Sequence, residues 1–354
     1  MPNKNIDIVF ITQLPSFYKI NLFNKLSRHL NIYVIFIGKG SISRNFDFVS
    51  LDLEFESIII NSDKFEIRNK LQSILKLNKI LNRLNFKKVI VNGWDLLEFW
   101  YVNLFINKQT GLILESSIYE SKLGIISKAL KKLFLKNIDF VMAAGRPHEK
   151  LLNALNYKNE IHVINGVGLP NYNIKIDREV VKSKIQNFLY VGRLSHEKNL
   201  FFLVQAFNDF PDLKLTIIGT GPLEAKLKDL ASSNVTFLGY VENKELPDYY
   251  TLADVFILPS ISEPWGLVVD EALHFSLPLL LSENVGCKDL YINNYKTGIL
   301  FNPYSFPSFK NAINAIQHIK KYNEILQNIR NVNFEKLYET QIDKYLHLFE
   351  KSSN

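Results

Sequence analysis

Two glutamates that lie eight positions apart, Glu263 and Glu271, carry the clearest chemical signal in this sequence. The residues around them are predicted to form a strand, a loop and a helix, and Pro264 and Gly266 disfavour helix at the first glutamate. We therefore expect Glu263 in the loop and Glu271 on the helix, with the N–H groups of Gly266 and Leu267 at the helix start. Carboxylates accept hydrogen bonds from sugar hydroxyls, and free N–H groups bind phosphate. This pattern indicates a nucleotide-sugar ligand, although two exposed acids at a helix start would look the same.

Two basic residues, Arg193 and Lys198, lie in a second loop between a predicted strand and a predicted helix. Gly192 allows the backbone to turn where the strand ends. A planar guanidinium and a mobile ammonium that reach one point from two sides of a loop suit a diphosphate. A surface loop with two solvated cations is the alternative, and placement alone does not decide between them.

Two further strand ends have a composition that suits close approach of a ligand. Gly219 and Gly221 form a glycine-rich turn whose N–H groups could contact an anion or a nucleotide. Tight turns without a ligand have the same composition. Tyr240 and Val241 follow another strand, where they either offer backbone groups to a base or simply form the strand exit.

Short β-branched runs alternate with helical patterns along the chain, which predicts parallel sheets covered by helices on both faces. A turn-rich and polar segment at 166–182 separates two such series. We therefore predict an α/β protein with two Rossmann-like domains in tandem, 1–168 and 169–333, followed by a last helix within 334–354. Ligands of such sheets bind beyond the carboxyl ends of the strands, so the site is expected in the cleft between the domains. The predicted strands are 6–12, 32–37, 88–92, 110–115, 140–144, 161–164, 187–191, 213–218, 236–238, 255–258, 277–281 and 298–301.

Composition narrows the classes of protein that remain. The 354 residues are 47% hydrophobic and 22% charged, as expected for a soluble folded protein, and no apolar run is long enough to span a membrane. The N-terminus lacks a signal-peptide pattern. The single cysteine, Cys287, excludes an internal disulfide. Both observations predict a cytoplasmic protein. The net charge of +7 suits an anionic partner. Nucleic acid is a poor candidate, because neither zinc-ligand spacing nor an RNA-binding aromatic signature accompanies the charge.

In their order along the chain, these motifs resemble the family 4 retaining glycosyltransferases of bacterial cell-surface polysaccharide type, which have the glycosyltransferase-B architecture. Glu263 and Glu271 match the family's motif of two glutamates with seven residues between them. The basic pair lies in a segment similar to the family's Gly-Arg-Leu…Glu-Lys pattern, at 192–198, and the glycine turn resembles its Gly-x-Gly-Pro pattern, at 219–222. The resemblance covers roughly residues 186–303.

The resemblance implies a role for each matched residue. Arg193 and Lys198 would neutralise the donor diphosphate, Glu263 would hold the sugar near the reacting carbon, and Glu271 would hold the ribose hydroxyls. No Asp-x-Asp metal motif is present, so the two cations would replace a divalent ion, with no metal and no cofactor beyond a nucleoside-diphosphate sugar, expected to be a UDP-sugar. The remaining donor-contacting residues would be Gly192, Gly219, Gly221, Tyr240, Val241, Trp265, Gly266 and Leu267.

The first domain matches the family less specifically. Its loop at 12–19 resembles the acceptor-side loop of relatives but lacks the glycine pair that many of them have. Glu115 or Ser116 could take the place of a histidine that relatives have near the reacting sugar, and a capping loop before a helix is the alternative. The resemblance also implies that the last helix, within 334–354, crosses back to the first domain.

Residues 122–136 form a basic segment with five lysines and no acid. Ile126, Leu130, Leu133 and Phe134 share one helical face. One interpretation is a surface helix whose apolar face packs on its sheet. The other is a contact with anionic lipid, where a lipid-linked acceptor would lie.

The sequence thus predicts a metal-independent, retaining hexosyltransferase that moves a sugar to a sugar or lipid-linked sugar acceptor, in the cytoplasm or on the inner face of the cytoplasmic membrane. One alternative is a nucleotide-sugar epimerase or a phosphorylase on the same fold. Another is a non-catalytic partner subunit that resembles a glycosyltransferase. The intact set of Arg193, Lys198, Glu263 and Glu271 disfavours the last alternative.

Overall fold

The computed structural model describes residues 5–42, 44, 48–121, 123–170, 176–179 and 184–350. The chain forms two compact units, of which the first comprises Met1–Asn171 and Glu335–Asn354 and the second comprises Tyr172–Phe334. Lys122 and a part of the predicted segment 166–182 lie outside the described residues.

The first unit contains a parallel sheet with helices between its strands. Its seven strands run in the order β3-β2-β1-β4-β5-β6-β7, so the sheet reverses its winding direction between β1 and β4. The elements are β1 (Ile6–Thr12), α1 (Phe17–Ser27), β2 (Ile32–Phe36), β3 (Glu56–Ile59), α2 (Lys70–Leu81), β4 (Phe86–Asn92), α3 (Leu97–Phe105), β5 (Gln109–Leu114), α4 (Ile125–Leu135), β6 (Phe140–Ala143), α5 (Arg146–Ala154) and β7 (Glu160–Val163).

The central strands of this sheet are largely apolar because both of their faces are covered. In β1, Val9 and Ile11 enter the cluster on one face of the sheet, and Ile8 and Phe10 enter the cluster on the other face. Successive side chains of a strand point to opposite faces, so a strand in the middle of a doubly covered sheet has few polar positions. The prediction of a helix-covered parallel sheet is confirmed. β3 was missed because this edge strand is only partly buried and has no continuous apolar run.

The second unit repeats the architecture with six strands. They run in the order β10-β9-β8-β11-β12-β13, and every pair is parallel. The winding direction of this sheet reverses between β8 and β11. The elements are β8 (Asn187–Val191), α6 (Leu200–Asn208), β9 (Lys214–Ile218), α7 (Glu224–Leu230), β10 (Val235–Gly239), α8 (Leu246–Leu252), β11 (Val255–Leu258), α9 (Leu267–His274), β12 (Leu279–Ser282), β13 (Gly298–Phe301), α10 (Phe306–Gln317) and α11 (Ile319–Arg330).

The last helix, α12 (Phe334–Glu350), packs on the sheet of the first unit. Its residues after Phe334 belong to that unit. Ile342, Tyr345 and Leu348 are buried in the same cluster as Ile8 and Phe10. The Lys88 ammonium donates a 2.7 Å hydrogen bond to the carbonyl oxygen of Leu348. A cation near a helix C-terminus is stabilising, because the last carbonyls have no partner within the helix.

Helix α4 carries the predicted basic segment, but most of its predicted apolar face is exposed. Only Phe134 and Leu135 are buried, whereas Ile126, Leu130 and Leu133 are 77%, 51% and 52% exposed. Of the four apolar residues of the predicted face, Phe134 is buried and the other three are exposed, so the interpretation of an apolar face packed on the sheet holds only for Phe134. Within the part of the chain that is described, no helix combines the length and apolarity needed to cross a bilayer.

Candidate functional site

The reversal point of the second sheet brings two of the predicted site residues together. Lys198 ends a 3-10 turn after β8, and Glu263 lies in the loop after β11, the neighbouring strand. Their side chains form an ion pair between Nζ and Oε2, and the two side chains are only 14% and 12% exposed. Carboxyl ends of strands on either side of a reversal point diverge and leave a crevice, where α/β proteins bind their ligands.

Arg193 lies in the same loop as Lys198 but is far more exposed. Its Nη2 is 3.2 Å from Oε1 of Glu197, and 45% of the arginine side chain is accessible. Glu197 also accepts a 2.6 Å hydrogen bond from Ser195, and its carbonyl oxygen accepts one from Ile261 N–H at 2.9 Å. This glutamate therefore joins the β8 loop to the β11 loop and leaves the guanidinium open to an anion.

The predicted glycines pack the loops of the second unit against one another. A Cβ atom on Gly219, whose φ is +128°, would lie 2.0 Å from the carbonyl oxygen of Gly192. A Cβ on Gly221 would lie 2.4 Å from the carbonyl oxygen of Leu194. Loop packing is thus a sufficient reason for these glycines, and a ligand contact by them stays a prediction. Tyr240 and Val241 follow at the end of β10 and are half-buried.

Glu271 lies on α9 and Glu263 in the preceding loop, as Pro264 and Gly266 led us to expect. Glu271 is 9% exposed and accepts a 2.9 Å hydrogen bond from the Tyr250 hydroxyl. Burial raises the pKa of this carboxyl to about 7, and the bond from Tyr250 opposes that rise.

The start of α9 is shaped by Gly266, which has a φ of +102° at the N-cap. The N–H groups of the first helical turn, beginning with Leu267, have no acceptor within the helix and can serve an anionic group. The loop before the helix is held by the segment after β12, through hydrogen bonds from Gly286 N–H to the Glu263 carbonyl and from Cys287 N–H to the Trp265 carbonyl.

Trp265 contributes more than the backbone group that was predicted. Its side chain is 3% exposed, and its indole N–H donates a 3.0 Å hydrogen bond to Asp270 Oδ2. Tyr291 donates a hydrogen bond to Oδ1 of the same carboxyl. Burial raises the pKa of Asp270 to about 6, although both bonds favour the charged form. Sequence reasoning missed Asp270, Tyr291 and Tyr250; an acid within the apolar run of α9 was the one available signal.

A second polar cluster occupies the strand ends of the first unit. The Glu115 carboxylate is 3.2 Å from the ammonium of Lys19, which donates to Thr12 Oγ1 at 3.3 Å. His148 is fully buried, with its Nε2 3.1 Å from the carbonyl oxygen of Glu115, and burial lowers its pKa to about 4. Ser116 is half-buried beside Glu115. Lys19 and His148 were not predicted, because only the fold places them beside Glu115.

The charged groups around the reversal point of the second sheet include two cations and two carboxylates. Among the residues that the structure describes, no group of three or more histidines, cysteines, aspartates and glutamates is placed to hold a cation. At the reversal point of the second sheet, Arg193 is paired with Glu197 and Lys198 with Glu263.

The second unit also matches a known family. Residues 173–332 fit the model of the family described as glycosyl transferases group 1. The match spans almost the whole of the second unit, Tyr172–Phe334. The family resemblance that the glutamate, arginine–lysine and glycine motifs indicated is confirmed.

Named relatives are similar to a part of this chain. An alpha-monoglucosyldiacylglycerol synthase of Acholeplasma laidlawii is 35% identical over 147 residues, which are 39% of this chain and 35% of that protein. A UDP-Gal:alpha-D-GlcNAc-diphosphoundecaprenol alpha-1,3-galactosyltransferase of Escherichia coli is 30% identical over 186 residues, 47% of either chain. This chain therefore spans less than half the length of these two relatives.

A solved structure resembles the chain over almost its full length. The crystal structure of HepE from Anabaena in complex with UDP and glucose matches with a TM-score of 0.74 at 15% identity, covering 98% of this chain and all of that one. At this identity the similarity concerns the fold, and it agrees with two Rossmann-like α/β units in one chain.

Proposed function

We propose that this chain is a retaining, metal-independent glycosyltransferase that moves a sugar from a nucleoside-diphosphate sugar to a sugar or lipid-linked sugar acceptor. The observation that carries the proposal is the Lys198–Glu263 pair at the reversal point of the second sheet, beside the exposed Arg193 guanidinium. Assembly of a bacterial surface polysaccharide is the proposed context, and the Escherichia coli relative, named for a diphosphoundecaprenol acceptor, supports it.

The proposed donor would redistribute the charges of the Lys198–Glu263 pair. Without ligand, each side chain neutralises the other in a mostly buried position. A diphosphate would take the ammonium as its counter-charge, and sugar hydroxyls would donate to the carboxylate that the ammonium releases. As the bond to the anomeric carbon breaks, negative charge grows on the leaving diphosphate. Lys198, Arg193 and the α9 N-terminus are then already in position to stabilise it.

The nucleoside end of the donor is proposed to lie at Glu271, Tyr240 and Val241. Glu271 would accept hydrogen bonds from the ribose hydroxyls, and the two residues after β10 would flank the base. A UDP-sugar is the proposed donor, and the UDP in the HepE structure and the UDP-Gal in the name of the Escherichia coli relative support this choice.

A thermal-shift panel of UDP, GDP, ADP and TDP sugars tests the donor proposal. A UDP-sugar is expected to raise the unfolding temperature, because a ligand at a hundred times its Kd stabilises a fold by about 2.7 kcal/mol. Uridine is the matched control, since it lacks the diphosphate that Arg193 and Lys198 would bind. The stabilisation and the transfer to an acceptor should both persist in EDTA. Turnover without an acceptor, or a requirement for inorganic phosphate, would instead identify the epimerase or phosphorylase alternative.

The acceptor is proposed to bind at the polar cluster of the first unit. Glu115 and Ser116 would contact its hydroxyls, and Lys19 would hold the Glu115 carboxylate in place by its 3.2 Å contact. We assign no protein nucleophile to the retaining step.

Helix α4 is proposed to contact anionic lipids on the inner face of the cytoplasmic membrane. The helix exposes Ile125 by 90% and Ile126 by 77%, and four of its residues up to its C-cap are lysines without an acidic neighbour in the helix. Exposed apolar residues beside lysines are the pattern of helices that lie in a bilayer interface. The glucosyldiacylglycerol in the name of the Acholeplasma relative is a lipid, which supports this location.

Cosedimentation with vesicles tests the membrane contact. The protein should bind vesicles of equal parts phosphatidylcholine and phosphatidylglycerol, and raised salt or pure phosphatidylcholine should weaken binding, because each lysine contributes about 1 kcal/mol at an anionic surface. Replacing both Ile125 and Ile126 by glutamate should reduce binding at least about tenfold. Leu252→Glu, at a residue 74% exposed in the second unit, is the control. Equal binding by the double variant and the control would contradict the assignment of α4.

A further inference from the structure

The side chain of Arg178 connects the carboxyl ends of two helices of the second unit. Its guanidinium donates to the carbonyl oxygens of Tyr250 at 2.5 Å, Thr251 at 3.1 Å and Ala253 at 2.5 Å, at the end of α8. The Nε atom donates to the carbonyl oxygen of Phe275 at 2.8 Å, at the end of α9. Terminal carbonyls of helices have no partner within their own helix and attract a cation.

The two helices that Arg178 joins carry a proposed ribose-binding carboxylate and its hydrogen-bond donor. Glu271 and Phe275 are four residues apart and therefore lie on the same side of α9. The rings of Tyr250 and Phe275 are stacked, with centroids 5.1 Å apart and an angle of 8° between their planes. The hydroxyl of Tyr250 then reaches Glu271 Oε2 at 2.9 Å. The same guanidinium thus binds the main chain of both stacked residues.

We infer that Arg178 is a positioning residue for the donor site, which holds Tyr250 against Phe275 so that its hydroxyl orients the Glu271 carboxylate. The inference rests on the proposed role of Glu271 at the ribose. A planar guanidinium with five N–H donors can serve four carbonyls at once, whereas a lysine ammonium has three donors and no fixed plane. Arg178→Lys therefore keeps the charge and loses the geometry.

Titration calorimetry with UDP measures the effect of this geometry. Arg178→Lys is expected to lower UDP affinity about tenfold, which is a loss of about 1.4 kcal/mol of binding free energy. Tyr250→Phe, which keeps every main-chain contact of Arg178, should lower it to a similar extent. The charge-matched control is Arg28→Lys, at an exposed pair with Glu54 in the first unit, and it should leave UDP affinity unchanged.

A double-mutant cycle separates positioning from a general effect on the fold. In a Glu271→Gln background, neither Arg178→Lys nor Tyr250→Phe should reduce UDP affinity further, because the carboxylate they orient is gone. An equal loss of UDP affinity in both backgrounds would overturn the inference. So would an unfolded Arg178→Lys protein, seen by circular dichroism, together with an unchanged UDP affinity of Tyr250→Phe. If Glu271→Gln alone leaves UDP affinity unchanged, the ribose role itself is wrong.

The pH dependence of UDP affinity provides a second readout. Tyr250 and Asp270 are the groups that bear on the ionisation of Glu271: the bond from Tyr250 lowers the pKa of Glu271, and the charge of Asp270 raises it. Loss of the hydrogen bond from Tyr250 to Glu271 should therefore move the midpoint of the UDP affinity against pH to higher pH, in Arg178→Lys and in Tyr250→Phe alike. A loss of affinity that is equal at every pH would contradict positioning through Glu271.

Discussion

Replacing Lys198 by alanine is expected to lower the rate of sugar transfer by about a thousandfold. The ammonium is the more buried of the two cations at the reversal point of the second sheet. Its ion pair with Glu263 is largely screened from water, because the side chains are 14% and 12% exposed. A preorganised charge in such a position stabilises a leaving diphosphate far more than an exposed charge would. The measurement is kcat with a saturating UDP-sugar.

Removal of Lys198 also leaves the Glu263 carboxylate without its counter-ion, so some loss of fold stability is expected, on the order of 2 kcal/mol. Assays therefore need a temperature well below the unfolding transition of the variant. Lys228→Ala is the matched control, because it breaks an exposed ion pair with Glu224 in the same unit and should change stability by about 0.5 kcal/mol and transfer not at all. Transfer at the wild-type rate by a folded Lys198→Ala protein would refute the catalytic assignment.

Replacing Glu271 by glutamine is expected to change UDP affinity and fold stability in opposite directions. The affinity should fall at least about tenfold, because an amide offers the ribose one acceptor oxygen in place of two. The free energy of unfolding without ligand should rise at pH 8 by up to about 3 kcal/mol, because the buried carboxylate is replaced by a neutral group that can still accept the Tyr250 bond.

The sign of the stability change follows from the pKa of Glu271, which burial raises from 4.5 to about 7 in the folded chain. Between these two pH values the folded protein keeps a proton that the unfolded chain has lost, so the carboxyl makes the fold less stable as the pH rises. The penalty is absent below pH 4.5 and complete above about pH 7. The gain of the glutamine variant should follow the same profile.

Urea unfolding at pH 5 and pH 8, with and without UDP, measures both effects of Glu271→Gln. The variant should exceed the wild type in stability only at the higher pH and only without UDP. Its UDP affinity should lack the increase between pH 6 and pH 8 that the wild type is expected to show as Glu271 ionises. If the glutamine variant is less stable than the wild type at pH 8, the charged Glu271 carboxylate does not destabilise the fold, and the prediction is wrong.

The sequence alone determined the type of sheet and the loops that carry the site. The continuous apolar run 8–11 of β1 requires cover on both faces, and a parallel sheet between helices provides it. The sequence predicted Glu263 in a loop and Glu271 on a helix, because Pro264 and Gly266 disfavour a helical backbone before α9. Local patterns of this kind are readable from a single chain, and they also carried the resemblance to the glycosyltransferase family.

Only the tertiary structure decided which groups meet and which face water. Tyr250 and Arg178 are distant from Glu271 in the sequence, and their contacts exist because α8 and α9 end beside each other. The pKa of Glu271 depends on burial, which is a property of the packed unit and not of the motif. The exposed apolar residues of α4 have the pattern of a core-facing helix, and only the structure shows that Ile125 and Ile126 face water. Side-chain identity and spacing set what a residue can do, and packing sets the partners and the solvent that determine whether it does so.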